Sequence, residues 1–87
     1  TGEGKIDYQT KYGKAIKGIT EIAKKYNKPV FAFCGLVDGD IDTLCNEIGL
    51  KNIFPVVNNK VSLEDSIKNP HLYLSNTIKN NIDKLFF

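Results

Sequence analysis

Residues 29–35 of the chain read Pro29-Val30-Phe31-Ala32-Phe33-Cys34-Gly35. A continuous apolar run between a proline and a glycine is typical of a strand covered on both faces, as in a parallel sheet. The sequence therefore predicts a buried strand at residues 30–34, ended by Gly35. Cys34 could be a nucleophile, but no paired base supports that role, and a small buried core residue is the favoured interpretation.

Helical patterns lie on both sides of this strand. Before it, apolar residues at three- and four-residue spacing predict a helix at about residues 14–26. Its predicted buried stripe consists of Ile16, Ile19, Ile22, Ala23 and Tyr26. After the strand, a second helix is predicted at about residues 40–48, stopped by Gly49. Its apolar face consists of Ile41, Leu44, Cys45 and Ile48.

Two aspartates, Asp38 and Asp40, precede this second helix. They could bind a metal, but an aspartate beside a helix N-terminus usually caps the helix, and capping is the favoured interpretation. Farther along, Asn52-Ile53-Phe54 predicts a short second strand. Pro55 limits that strand to a sheet edge or to an early end.

The last third of the chain is predicted to be helical. Ser62-Leu63-Glu64-Asp65 resembles a capping box that opens a helix. Asn69-Pro70 interrupts this helix and predicts the N-cap and first residue of a final helix. The predicted buried stripe of the final helix consists of Leu74, Ile78, Ile82 and Leu85.

The alternation predicts an α/β fold, namely a fragment of a parallel-sheet three-layer (Rossmann-like) domain with two strands and three to four helices. Two strands are too few for a parallel sheet with both faces covered. We therefore expect residues 1–87 to be a single α/β segment, the C-terminal part of a larger protein whose N-terminal part is absent. An open sheet edge invites pairing, so a homo-oligomer through that edge is a further expectation.

The front of the chain, Thr1–Lys14, combines glycines, carboxylates, threonines and lysines with a single aliphatic residue. Such a polar stretch predicts a loop, and loops on a rigid scaffold often carry binding and catalysis. Lys14 falls in the first helical turn, where a cation is slightly unfavourable unless an anion lies nearby; on this evidence alone, extension into solvent is the favoured interpretation. Neither the dinucleotide-binding glycine pattern nor the P-loop spacing fits, because Asp7, Tyr8 and Ala15 stand where those motifs need other residues.

Composition argues against several classes of protein. The net charge is +2 and the lysines are scattered, so no nucleic-acid partner is expected. No apolar run approaches the roughly 18 residues of a membrane span, and no secretory signal pattern is found, so no membrane association is expected. Cys34 and Cys45, with one histidine in the chain, indicate neither a zinc site nor a disulfide framework. A reduced, cytoplasmic protein is expected.

The front of the chain also resembles a known signature. It reads Thr1-Gly2-Glu3-Gly4-Lys5-Ile6-Asp7-Tyr8-Gln9-Thr10, followed by Gly13-Lys14. This is similar to the pattern Thr-Gly-Glu-Gly-(Arg/Lys)-x-Asp-x-Gln-(Thr/Ser)-x-x-Gly-Lys of the type I glycerate kinase family. The resemblance continues through most of the chain, including Lys28-Pro29-Val30, Ile48-Gly49-Leu50 and Ser62-Leu63-Glu64-Asp65-Ser66. The chain departs from the family pattern at scaffold positions, namely Ile16, Cys34, Leu36 and Pro55.

The resemblance implies an enzyme that transfers the γ-phosphoryl group of ATP to a hydroxyl group of D-glycerate, with Mg²⁺, to give 2-phosphoglycerate. It implies that Thr1–Lys14 is an active-site loop and that glycerate is the small-molecule substrate. It also implies that the rest of the kinase chain completes the site, so that these 87 residues alone would be inactive.

Roles for individual residues follow from the resemblance. Glu3, Asp7 and Lys14 would be catalytic. Glu3 and Asp7 would hold Mg²⁺, or one of them would accept the proton of the glycerate hydroxyl group, while Lys14 would face a phosphate or carboxylate. The residues expected to bind substrate or phosphate are Gly2, Gly4, Gln9, Thr10 and Gly13. For the last three of these, a purely structural role in a turn is the alternative.

A different class of protein fits the same pattern if the resemblance is set aside. A non-catalytic α/β module could bind a nucleotide or a partner protein, because folds of this type host many functions. The upstream coding sequence would distinguish the two. The resemblance implies a long preceding chain that begins with a strand, whereas an isolated domain or a fusion to a sensor would favour the binding module.

Overall fold

The computed structural model describes residues 2–58 and 60–86, with the backbone only for residues 2, 3 and 86. Strands and helices alternate along most of this length. The elements are β1 (Gly2–Ile6), a 3₁₀ turn (Thr10–Tyr12), α1 (Lys14–Lys25), β2 (Phe31–Val37), α2 (Ile41–Ile48), β3 (Asn52–Pro55), α3 (Leu63–Lys68), α4 (Pro70–Asn80) and α5 (Ile82–Phe86). None of the helices in these ranges is long and apolar enough to cross a membrane.

The strands form one parallel sheet in the order β1-β2-β3. The predicted α/β fold class is confirmed, but the sheet has three strands where the sequence predicts two, and the described chain has five helices. The additional strand, β1, lies inside the stretch that the composition predicts to be a loop. Glycines and charged residues have low strand propensity, but pairing with a neighbouring strand can override that local preference.

β2 runs on to Val37, so the prediction that Gly35 ends the strand is wrong. The parallel register with β1 continues beyond the glycine, through Lys5↔Leu36 and Ile6↔Val37. Gly35 instead permits a close approach of the two strands. A methyl group at this position would lie 2.8 Å from the carbonyl oxygen of Gly4.

One face of the sheet forms the hydrophobic core together with α1 and α2. The buried core residues are Ile6, Ile16, Ala32, Cys34, Leu44, Cys45, Ile48, Leu50 and Ile53. The interpretation of Cys34 as a buried core residue is therefore confirmed. Burial raises the pKa of the Cys45 thiol, and the nearby Asp42 carboxylate raises it further, so this thiol keeps its proton at neutral pH.

The opposite face of the sheet is aromatic and only partly covered. Phe33 of β2 packs against Phe54 of β3, with ring centroids 5.2 Å apart. An apolar groove of about 690 Å³ lies between this face and the pair α3–α4, and its lining includes Phe33, Val56, Leu63, Ile67, Leu74 and Ile78. The helices on the two faces give the predicted three layers. The two faces of β2 differ, however, because Ala32 and Cys34 are buried while Phe31 and Phe33 are partly exposed.

Two of the predicted apolar stripes are not buried. In α1, Ile16 is buried, but the next three large residues are exposed: Ile19, Ile22 and Tyr26. In the final helical region no residue of α4 is buried, and Leu74 and Ile82 are exposed. The final helix is also divided, because α4 ends at Asn80 and α5 begins at Ile82. The apolar spacing is present in both helices, but the neighbouring described elements cover only part of each stripe.

The predicted ends of α2 are confirmed. Asp40 caps the helix, because its Oδ2 accepts hydrogen bonds from the Thr43 amide at 3.0 Å and from the Thr43 hydroxyl group at 2.8 Å. Gly49 ends the helix at a φ of 93°, the left-handed conformation that favours glycine.

The ends of β3, α3 and α4 also agree with the boundaries predicted from the sequence. Ser62 caps α3, and its Oγ accepts a hydrogen bond from the Asp65 amide at 3.1 Å. Pro70 is the first residue of α4, as predicted, although Asn69 precedes it without a side-chain capping bond. Pro55 is the last residue of β3, which is an edge strand of the described sheet.

The cap of α2 makes the chain sensitive to acid. The hydrogen bonds from Thr43 hold the pKa of the Asp40 carboxyl group below its usual range. Because that pKa is lower in the folded chain than in the unfolded chain, the stabilisation is complete at neutral pH. It is lost as the pH falls from about 4 through the folded pKa. Asp40→Asn keeps an acceptor at the N-cap but has no carboxylate to protonate. We therefore expect its melting temperature to fall less between about pH 5 and pH 2 than that of the wild type.

Circular dichroism of the two chains across this range measures the difference. Asp40→Ala, which removes the acceptor, is the control and should melt below the wild type at neutral pH. Equal acid-induced losses in the wild type and in Asp40→Asn would contradict the role given to this carboxylate.

The close approach of β1 and β2 gives a second prediction. Gly35→Ala places a methyl group 2.8 Å from a backbone oxygen, so we expect it to reduce the free energy of unfolding by about 1–3 kcal/mol. Gly18→Ala is the matched control, since nothing lies within 4 Å of a methyl group there. In the helix interior, alanine should increase the free energy of unfolding by up to about 1 kcal/mol. Urea denaturation of both variants tests the pair, and a neutral Gly35→Ala would argue against the close approach.

Candidate active site

Two connections lie side by side at the carboxyl ends of β1 and β2. The strands end at Ile6 and Val37, which are partners in the parallel register. The Asp38 amide extends this pairing by donating a hydrogen bond to the Ile6 carbonyl oxygen at 2.8 Å. The β1–α1 and β2–α2 connections therefore leave the sheet at the same edge. In open α/β sheets ligands bind beyond the carboxyl ends of strands, which makes this edge the candidate site.

Asp7 and Thr10 build the turn that follows β1. Asp7 Oδ1 accepts a hydrogen bond from the Gln9 amide at 2.9 Å, and Thr10 Oγ1 accepts one from the Asp7 amide at 2.9 Å. The Thr10 amide closes the turn on the Asp7 carbonyl oxygen at 3.1 Å. These contacts give Asp7, Gln9 and Thr10 a structural role in the turn. Their roles toward a substrate remain predictions.

Lys5 lies between two carboxylates at this edge. Its Nζ is 3.9 Å from Asp7 Oδ2 and 3.9 Å from Asp38 Oδ2. Both pairs are partly exposed and long for ion pairs, so they contribute little to stability. They nevertheless link the residue that follows β1 to the residue that follows β2. The capping role predicted for Asp38 is wrong, because Asp40 is the N-cap of α2. The position of Asp38 directly after a strand is the signal that could have placed it at this edge.

The N-terminus of α1 lies at the end of the same connection. Gly13 is the N-cap, and its amide donates a hydrogen bond to the Thr10 carbonyl oxygen at 2.9 Å. Lys14 is the first helical residue, it is exposed, and the first turn of α1 contains no acidic residue. A cation at the positive end of a helix dipole is unfavourable on its own. Together with the amides of the first turn, however, Lys14 can face an anion.

The predicted site residues nearest the amino terminus lie apart from this edge. Gly2, Glu3 and Gly4 belong to β1. At about 3.3 Å per residue, Glu3 is roughly 13 Å from Asp7 along the strand. Gly4 lines the apolar groove. Thr1 and the side chain of Glu3 lie outside the described residues. The predicted loop is thus divided between the sheet and its carboxyl edge, and a ligand that meets both parts must span the length of β1.

The residues at this edge do not by themselves form a magnesium site. Within residues 2–58 and 60–86, no group of three or more His, Cys, Asp or Glu side chains is placed to hold a metal ion. Asp7 and Asp38 both face Lys5, and a cation between two carboxylates opposes the binding of another cation there.

Comparisons with known proteins give the relatives of this chain. The model of the Glycerate kinase family matches residues 1–86. The chain belongs to the glycerate kinase family. A glycerate kinase of Haemophilus influenzae is 36% identical over 80 residues, which cover 92% of this chain and 21% of the relative. A glycerate kinase of Bacillus cereus is 38% identical over 80 residues, with the same coverage of 92% and 21%.

A third relative is the glycerate 2-kinase of Escherichia coli, which is 34% identical over 68 residues that cover 78% of this chain and 18% of the relative. The chain spans about a fifth of the length of the curated relatives it matches. No solved structure matches significantly. The glycerate kinase family match confirms the resemblance read from the signature.

One residue at the carboxyl edge has no role in the predicted site. Tyr8 follows Asp7, and its Oη accepts a hydrogen bond from the Asp40 amide at 3.4 Å. The signature that the front of the chain resembles specifies no residue type at this position, so the motif gives no signal for it. The indication of a role for Tyr8 comes from its contacts in the folded structure.

Proposed function

We propose that this chain is one part of an ATP-dependent glycerate kinase, which transfers the γ-phosphoryl group of ATP to D-glycerate and gives 2-phosphoglycerate. The observation that carries the proposal is the family match over residues 1–86, whose signature includes the connection at the carboxyl edge of the parallel sheet. The names of the relatives, glycerate kinase and glycerate 2-kinase, support the choice of substrate.

In this proposal the N-terminus of α1 receives an anion. Gly13 has no side chain to block the approach, and the exposed Lys14 neutralises the charge of a phosphate or of the glycerate carboxylate. Phosphoryl transfer depends on alignment and on charge neutralisation more than on covalent chemistry by the protein. An otherwise unfavourable lysine at this end of the helix is consistent with such a role.

Asp7 is proposed as the group that accepts the proton from the glycerate hydroxyl group. Its Oδ1 accepts a hydrogen bond from the Gln9 amide. Its Oδ2 is 3.9 Å from Lys5 Nζ and is the oxygen proposed to contact the substrate. Glu3 is proposed to act on the phosphoryl-transfer step from the other end of β1. The glycines on either side of it, Gly2 and Gly4, have no side chains and let an anion approach the backbone closely.

The longer kinase chain is part of the proposal. Relatives more than four times the length of this chain support it, as do the apolar groove beside α3 and α4 and the exposed apolar residues of α1. A second copy at the outer edge of β1 would be another way to cover exposed surface.

Two finer points complete the proposal. Mg²⁺ would accompany ATP and neutralise phosphate charge, but no step is assigned to it, because the described residues do not form its site. A cytoplasmic location is consistent with two buried cysteines, one of which has a raised thiol pKa.

Substitutions in the full-length protein test the carboxylates. We expect Glu3→Gln and Asp7→Asn each to lower kcat by about 10²-fold or more, with the melting temperature nearly unchanged. Asparagine keeps the oxygen that accepts the Gln9 amide, so Asp7→Asn leaves the turn intact while it removes the base. Glu21→Gln, an exposed carboxylate farther along α1, is the control and should keep normal turnover.

The measurements are steady-state kinetics with D-glycerate and ATP, and thermal unfolding of the same samples. A variant that retains near-normal turnover, or that loses activity only by melting early, would remove the assigned role from that residue.

Activity should also require the longer chain. We expect the purified full-length protein to form 2-phosphoglycerate, and we expect these 87 residues alone to form none, because most of a relative's length is missing from them. Product analysis by ³¹P nuclear magnetic resonance distinguishes the 2-phosphate from the 3-phosphate. Turnover by the isolated 87 residues would contradict this prediction, and no turnover by the full-length protein would contradict the proposed function.

A further inference from the structure

Tyr8 joins the two connections at the carboxyl edge of the sheet. Its ring lies against Gly39, where a methyl group would be 2.9 Å from Tyr8 Cε2 and 3.0 Å from Tyr8 Cζ. Its Oη accepts a hydrogen bond from the Asp40 amide at 3.4 Å. Gly39 has a φ of 132°, a conformation that side chains rarely adopt, so a bare backbone lies under the ring.

The same two connections have a second, weaker link. Lys11 Nζ in the 3₁₀ turn is 3.5 Å from Glu47 Oε2 in α2. The hydrogen bonds between Asp7 and Thr10 are internal to their own turn, so they shape it but do not attach it to anything else. Besides Lys5, which pairs with both Asp7 and Asp38, Tyr8 and Lys11 are the described side chains whose polar contacts attach this turn to the β2–α2 side.

Tyr8 is poorly suited to a role in general stability. It is 47% exposed and does not belong to the hydrophobic core. The two contacts described above, with Gly39 and with the Asp40 amide, both lie at the backbone just before α2. Because Tyr8 follows Asp7 directly in the chain, a shift of the turn that carries the Tyr8 ring away from Gly39 would move the Asp7 carboxylate as well.

We propose that Tyr8 is a positioning residue for phosphoryl transfer, which holds the turn containing Asp7 against Gly39 and Asp40. This inference rests on the proposed function. Tyr8 touches no reacting atom; it fixes where the Asp7 oxygens stand. A displacement of about 1 Å in a catalytic group can cost about 10²-fold in rate. The ring contact with Gly39 is the larger part of the effect, since the hydrogen bond to Asp40 is long.

Three variants of the full-length protein test this. Tyr8→Ala removes both the ring and the hydrogen bond, and should lower kcat about 10- to 100-fold with little change in KM for either substrate. Tyr8→Phe keeps the ring on Gly39 and should restore kcat to within about threefold of the wild type. Lys24→Ala, at an exposed position in the last turn of α1, is the control and should leave kcat unchanged.

A double-mutant cycle tests the ring contact itself. Gly39→Ala should lower kcat in the wild-type background, because the added methyl group displaces the Tyr8 ring. The strain of a side chain at a φ of 132° and the contact with Leu44 Cδ1 at 3.2 Å add to this loss, and both persist without the ring. In the Tyr8→Ala background the ring is gone, so the same change at Gly39 should cost less. Additive losses would show that the two residues act independently and would overturn the proposal.

Hydrogen exchange supplies a measurement that does not depend on activity. The amides of residues 9–13 and of Asp40 should exchange faster in Tyr8→Ala than in the wild type, and Tyr8→Phe should be close to the wild type. If the wild-type protein does not phosphorylate glycerate, the proposed function fails, and this exchange pattern alone decides whether Tyr8 holds the turn. The proposal is overturned by unchanged exchange, by a kcat loss that phenylalanine does not restore, or by a loss that merely follows a lower melting temperature.

Discussion

The pairing of β1 with β2 is the constraint on which the rest of the structure depends. The two strands meet where Gly35 leaves room for the Gly4 carbonyl oxygen, and the register then continues to Ile6 and Val37. That register sets both strands to end at the same level. Asp7 and Asp38 consequently emerge side by side, although they are far apart in the chain. The candidate site is thus a product of strand pairing, and its polar residues alone would not create it.

The two faces of the sheet differ in how completely they are covered from solvent. On one face, α1 and α2 complete a core that includes Leu44 and Ile53, both almost fully buried. On the other face, the aromatic residues of β2 and β3 line an apolar groove beneath α3 and α4. A parallel sheet normally has both faces covered. The partial cover on the second face is in keeping with a chain that spans about a fifth of the length of its relatives.

Much of this architecture could be predicted because local chemistry specifies it. Asp40, Gly49 and Ser62 mark helix ends by interactions within a few residues, and the apolar run before Gly35 predicts a parallel strand. β1 was not predictable in this way, since its identity as a strand comes from a partner about thirty residues away. Sequence spacing likewise shows that α1 and α4 have apolar stripes, but not whether anything covers them. The motif located the turn of Asp7, whereas the contact of Tyr8 with Gly39 exists only in three dimensions.

The position of β1 also has a consequence for how the chain opens. β1 is an edge strand, and among its described side chains only Ile6 is buried. Ile6 is nevertheless fully buried in the core that α1 and α2 share with the sheet, so β1 cannot leave β2 without exposing it. Release of β1 would carry the Asp7 turn away from α2 and would open the core at the same time. The segment is therefore expected to lose its candidate site together with its core, in one cooperative opening.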